Sequence, residues 1–189
     1  MTEFFAEIDL SEAKRKSLKT KSYLGELRET FNLKSVEYTH QIRIAPLEIP
    51  HSHPILTLNT QFIDNGIAGK QKLLAQYIHE QIHWGLDLHR EEETRIAIDF
   101  FDSYYPELHS SFPETAQDRY STYLHVIVNW LELDFLRKFL TEDIADEIIL
   151  KSYTYSRIYN LVHKEYDFIK NKLENFGIYP LPPATEIST

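Results

Sequence analysis

The stretch His79-Glu80-Gln81-Ile82-His83 sets two imidazoles four residues apart, with a carboxylate beside the first. On an α-helix, residues four apart share a face, so His79 and His83 can hold one metal ion between them. Glu80 projects about 100° round the helix from His79. There it reaches a water activated by the ion rather than the ion itself, which is the place of a general base. The chain has no cysteine, so a zinc ion bound here takes imidazole and carboxylate ligands only. The plain alternative is an amphipathic helix that happens to carry two histidines, and the surrounding pattern argues against it.

A catalytic zinc takes three protein ligands and keeps one position for water. The segment from Glu114 to Leu140 offers the third. It is apolar on nearly every side (Leu124, Val126, Ile127, Val128, Trp130, Leu131, Leu133, Phe135), so it is expected to be buried. Yet Asp118, Ser121, Thr122, His125, Asn129 and Glu132 form a polar stripe within about 100° of arc. Buried polar groups need partners, and the helix carrying His79 and His83 supplies them. His125 and Glu132 are separated by about 10 Å along the axis and are not expected to share one ion. His125 is preferred as ligand, because Asn129 can accept from its ring, with Glu132 close behind. Whichever of the two is not the ligand can orient His79 or His83, or contact substrate. His51 and His53 would point to one side of an extended chain. An auxiliary metal site there is less favoured than a loop with two unrelated histidines.

The elements that must position these groups follow in order. Ser11 to Phe31 reads as a first helix. Lys34 to Leu47 alternates as a strand does, Pro46 and Pro50 end it, and Ile55 to Asn59 is a second strand candidate. Asp64-Asn65-Gly66 is a turn. The motif helix runs from Lys70 to His89, with Gly85 able to break or bend it. Arg90 to Tyr104 is a charged helix stopped by Pro106. Pro113-Glu114 opens the helix that reaches Leu140. Thr141 to Asp143 caps a short helix, Ile144 to Leu150. Ser152 to Phe176 reads as one more helix, ended by Gly177, with a tail beyond.

His79-Glu80-x-x-His83 after two strands resembles the zincin metallopeptidases, gluzincin-like or related, without fixing the subfamily. The resemblance implies an α+β, mostly helical fold: a small N-terminal antiparallel or mixed sheet packed on the HExxH helix, then a helical C-terminal half. It implies one zincin-like domain over 1–189, divided into 1–66, 67–104 and 113–178 with a tail at 179–189. It also implies a Zn²⁺ cofactor, Glu80 as general base, a peptide or protein substrate, and Ile55 to Asn59 as the edge strand to which extended peptides pair. Zincins often stabilise the oxyanion with a Tyr, His or Arg from the C-terminal half, and Tyr155, Arg157 and Tyr159 are the candidates here. Gluzincins take a glutamate from a downstream helix, which points to Glu132. The Asp found four residues further on in several of them is replaced by Leu136. His89 matches the spacing of the metzincin third histidine. However, Leu86 stands where that motif has glycine, and no methionine follows Met1 to make the metzincin turn. The alternative class is a zincin-like metal-binding or regulatory module with little or no hydrolysis; an intact Glu80 favours the peptidase.

Composition bounds the reading. With 189 residues, 42% apolar and 13% aromatic, the chain can bury a substantial core. A net charge of −9 disfavours nucleic acid as the main partner. Met1 to Leu10 lacks a basic region followed by an apolar run, and no apolar stretch of about eighteen residues exists. A soluble, cytoplasmic protein with no membrane span is expected. Oligomeric state is not encoded in any feature of the sequence.

Overall fold

The structure is a computed structural model that describes residues 10–184. Among them are seven α-helices: α1 (Leu10–Phe31), α2 (Gly66–His89), α3 (Glu91–Tyr104), α4 (Arg119–Phe139), α5 (Glu142–Leu150), α6 (Ser156–Lys164) and α7 (Tyr166–Asn175). Two three-residue strands, β1 (Ile42–Ile44) and β2 (Leu56–Leu58), lie between α1 and α2. The mostly helical character expected from the sequence is present, with its strands confined to the N-terminal part.

Helix α4 is the centre. From Thr122 to Asp134 all its residues but Leu124 are buried, and it packs against α2, α3, α5, α6 and α7. An all-round apolar helix can only be satisfied by neighbours on every side. Asp118 is its cap, accepting a hydrogen bond from the backbone N–H of Ser121 at 2.7 Å. That cap starts the helix at Arg119 rather than at Pro113-Glu114, because Asp118 holds extended backbone geometry and satisfies one of the free first-turn donors.

Helix α2 lays Leu74, Tyr77, Ile78, Ile82 and Leu86 into the core. Its rotation is fixed from behind. The Gln81 amide donates to the Thr39 carbonyl (2.8 Å) and accepts from the Thr39 N–H (2.9 Å). The Tyr77 hydroxyl donates to buried Glu37 at 3.0 Å, and Arg28 of α1 pairs with the same carboxylate. These contacts clamp the far face of α2 to the 37–39 segment and leave His79 and His83 turned towards α4.

Gly85 does not break the helix, which continues to His89. A Cβ at this position would lie 2.6 Å from the Tyr38 ring and 2.9 Å from Leu181, so the glycine allows close packing instead. The Tyr38 hydroxyl donates to the Pro182 carbonyl at 2.8 Å. The expected tail is therefore docked as far as Ala184, and its remainder, 185–189, lies outside the described residues, as does the Met1–Asp9 segment.

The sheet differs from the expected antiparallel or mixed one. β1 and β2 pair in parallel, with Ile42 opposite Leu56 and Ile44 opposite Leu58. Among the described residues antiparallel pairing is confined to a single bridge, in which His51 exchanges both backbone hydrogen bonds with Thr57 on the far side of β2. Residues 34–41 do not extend β1: a 3₁₀ turn, Leu33–Val36, takes the place of its expected first half. The helix expected over 152–176 is two, divided at Glu165, and starts at Ser156 because Tyr155 adopts a left-handed conformation (φ 60°).

Candidate metal centre

Helices α2 and α4 run antiparallel where they meet. His79 faces Glu132, and His83, one turn further along α2, faces His125, two turns earlier on α4. One ring nitrogen from each of His79, His83 and His125 lies within 4.8 Å of the others. The three rings pack with centroids 5.2, 5.3 and 5.4 Å apart.

The second nitrogen of two of these rings is committed. The Nδ1–H of His79 donates to Glu132 Oε2 at 2.8 Å, and the Nδ1–H of His125 donates to the Ser121 carbonyl at 2.6 Å. Each bond fixes the tautomer and leaves Nε2 with its lone pair available to a metal. Burial and the neighbouring histidine charges hold the His83 ring well below the usual imidazole range, and burial pushes His125 down to about 3. Burial acts on His79 in the same sense, but the hydrogen bond and charge of Glu132 outweigh it and raise the ring. Three imidazoles, buried or partly buried and free of thiolates, are a donor set that fits Zn²⁺.

Glu132 is thus not one of the three grouped residues. It stands behind His79, and its Oε2 also accepts the Tyr159 hydroxyl at 2.7 Å. Burial, with the charge of Glu132, raises the Tyr159 phenol well above its ordinary value. Asn129 does not orient His125. The Ser121 carbonyl has that place, and both polar atoms of the fully buried Asn129 side chain lack partners among the described residues. His89 packs against Tyr38, away from the cluster.

Glu80, 6% exposed, opens onto a cleft of about 550 Å³ whose floor also includes His79, Glu132, Tyr155 and Tyr159. Burial pushes its carboxyl up to about 7; His79 opposes this and the Glu132 charge adds to it. Tyr155 is placed by its backbone, its N–H donating to the Pro113 carbonyl at 2.6 Å. Its ring stacks on His125 at 4.1 Å, and burial pushes its phenol up to about 12. Arg157 turns away, with its guanidinium on the Glu107 carbonyl at 3.3 Å.

His51 and His53 make no shared site. His53 stacks on Trp84 at 4.1 Å and pairs with Asp87, and the His51 ring meets the Ile49 carbonyl. The His51 backbone covers Thr57 on the outer side of β2; among the described residues no other position of the expected substrate edge is bridged there. No signal in the sequence announced that cover, because a single bridge needs no periodic pattern.

None of the described helices is long and apolar enough to cross a membrane. No protein-family profile matches the chain, and comparisons with curated proteins and with solved structures give no match either.

Proposed function

We propose that this protein is a zinc-dependent hydrolase of the zincin type that cleaves peptide bonds, with His79, His83 and His125 as ligands. One observation carries the reading: imidazoles from two helices converge beside a buried glutamate that opens onto a cleft. When bound, Zn²⁺ supplies Lewis-acid chemistry, acidifying a water and polarising the scissile carbonyl. Glu80 takes the proton of the attacking water and delivers it to the leaving amine. Glu132 holds the proton on Nδ1 of His79, and the Ser121 carbonyl does the same for His125. The Tyr155 hydroxyl is the donor to the developing oxyanion. Tyr159, committed to Glu132, keeps that carboxylate in place.

A second reading, a metal-binding module without hydrolysis, is favoured by the covered outer edge of β2, where peptide substrates of zincins pair. Elemental analysis of wild type, His79→Ala, His125→Ala and Glu132→Ala, followed by assays on mixed peptides with Glu80→Gln as control, separates the two. About one zinc per chain, lost in both histidine variants, with hydrolysis abolished in Glu80→Gln, supports the peptidase. Zinc without hydrolysis favours the module. Wild type that neither contains nor takes up zinc overturns both.

A further inference from the structure

Beyond the proposed metal ligands, the cleft wall carries a cation with no acidic partner among the described residues. Lys72, Gln76, His79 and Glu80 line the same cleft and follow one another at helical spacing along one face of α2. The Lys72 ammonium lies over the Phe62 ring, 4.1 Å from its centroid. Among the described residues no carboxylate comes within 4.0 Å of it. The other lysine on the cleft, Lys151, is already paired with Glu147. Glu80 lies towards the opposite end of this α2 face, and Glu132 of α4 stands there against His79. The Lys72 ammonium thus stands apart from the carboxylates of the cleft floor.

The two ends are seven residues of helix apart, about 10 Å along the axis. An extended chain covers that span in about three residues. The lining mixes polar groups such as Gln61, Gln76 and Thr154 with apolar ones, among them Ile49, Ile148 and Tyr153. Tyr153 and Ile49 are 79% and 73% exposed, a high fraction for large apolar side chains beside a cleft. Because His51 occupies Thr57, the β2 edge does not read the substrate backbone there, and recognition falls to these side chains.

We propose that the cleft takes short peptides with apolar side chains and a free terminal carboxylate. Lys72 receives that carboxylate about three residues from the bond to be cleaved. The inference rests on the peptidase reading of the same site, but its test does not need hydrolysis.

Two fluorescein-labelled hexapeptide pools lacking Asp and Glu, one ending in a free carboxylate and one in an amide, are titrated with Glu80→Gln protein. Binding is followed by anisotropy, with and without added zinc. The free-acid pool is expected to bind about tenfold more tightly, the size of one charge-assisted contact. In Glu80→Gln/Lys72→Met the ratio falls to about one, and in Glu80→Gln/Lys72→Glu it inverts. Equal affinity for the two pools, a preference that survives Lys72→Met, or no binding of either pool overturns the proposal. Zinc content, measured on the same samples, reports separately on the metal site. A carboxylate preference in protein that binds no zinc would leave the Lys72 contact standing and remove the peptidase.

Discussion

The Glu132 carboxylate lies 2.8 Å from Nδ1 of His79, bridging two helices across 53 residues of chain. The bond sets which nitrogen of the ring faces the other two histidines. Glu132→Gln keeps the shape and loses the charge. It is expected to weaken zinc binding about 10–100-fold, read by competition with a chromophoric chelator. An unchanged affinity would show that His79 needs no orienting partner.

Glu132→Ala goes further. It strands the Tyr159 hydroxyl, which is buried and donates to that carboxylate. A loss of about 1–3 kcal/mol in unfolding free energy is expected, measured by urea denaturation. In the double variant with Tyr159→Phe part of that loss returns, since no hydroxyl is left without a partner.

Tyr155→Phe removes the proposed oxyanion donor and keeps the ring that stacks on His125. We expect kcat to fall about 100-fold or more, with zinc content and KM little changed. A fall in metal content instead would assign the hydroxyl to the metal site rather than to the transition state.

Gly85→Ala tests the packing of the docked C-terminal segment. The new methyl would meet the Tyr38 ring at 2.6 Å, and that ring is tethered by its hydroxyl to Pro182. Overpacking at a buried contact costs about 1–3 kcal/mol, offset in part by about 1 kcal/mol of helix propensity. Net destabilisation is the expected result of a denaturation curve. A stabilised variant would mean that Tyr38 and Leu181 are free to withdraw.

Alkaline stability follows from buried tyrosines whose hydroxyls lie outside the proposed metal centre. Burial raises the phenols of Tyr38, Tyr77, Tyr105 and Tyr166 well above the ordinary value. The unfolded chain releases these protons near pH 10, while the folded chain keeps them. Above that pH the unfolded state binds fewer protons, so stability falls as pH rises. Below it their contribution is complete. Melting temperatures recorded from pH 8 to 11 should hold at first and drop beyond about pH 10, with a smaller drop in Tyr38→Phe.

The motif helix was legible because its chemistry is local: His79, Glu80 and His83 lie within five residues, and helical geometry alone relates them. The polar stripe on α4 was legible for the same reason. What the sequence left open was which stripe residue faces which histidine. That depends on the antiparallel register of α2 against α4, set by remote contacts such as Gln81 on Thr39. His125 joins the cluster and Glu132 stands behind His79 because of that register. The direction of β1 against β2 was not legible, since three-residue strands carry no sign of orientation. The break at Glu165 escaped because apolar spacing continues through it; Ile158, Val162, Ile169 and Leu173 are all buried.

The His51–Thr57 bridge has a consequence for how this molecule behaves in a crowd. A two-stranded sheet normally offers unpaired donors and acceptors along its rim, a template for fibrous self-association. Here the outer backbone groups of Thr57, midway along β2, are already spent on the protein's own chain. That side of the sheet cannot grow by recruiting a neighbour at Thr57. The chain thereby closes one rim of its small sheet at the middle residue of β2.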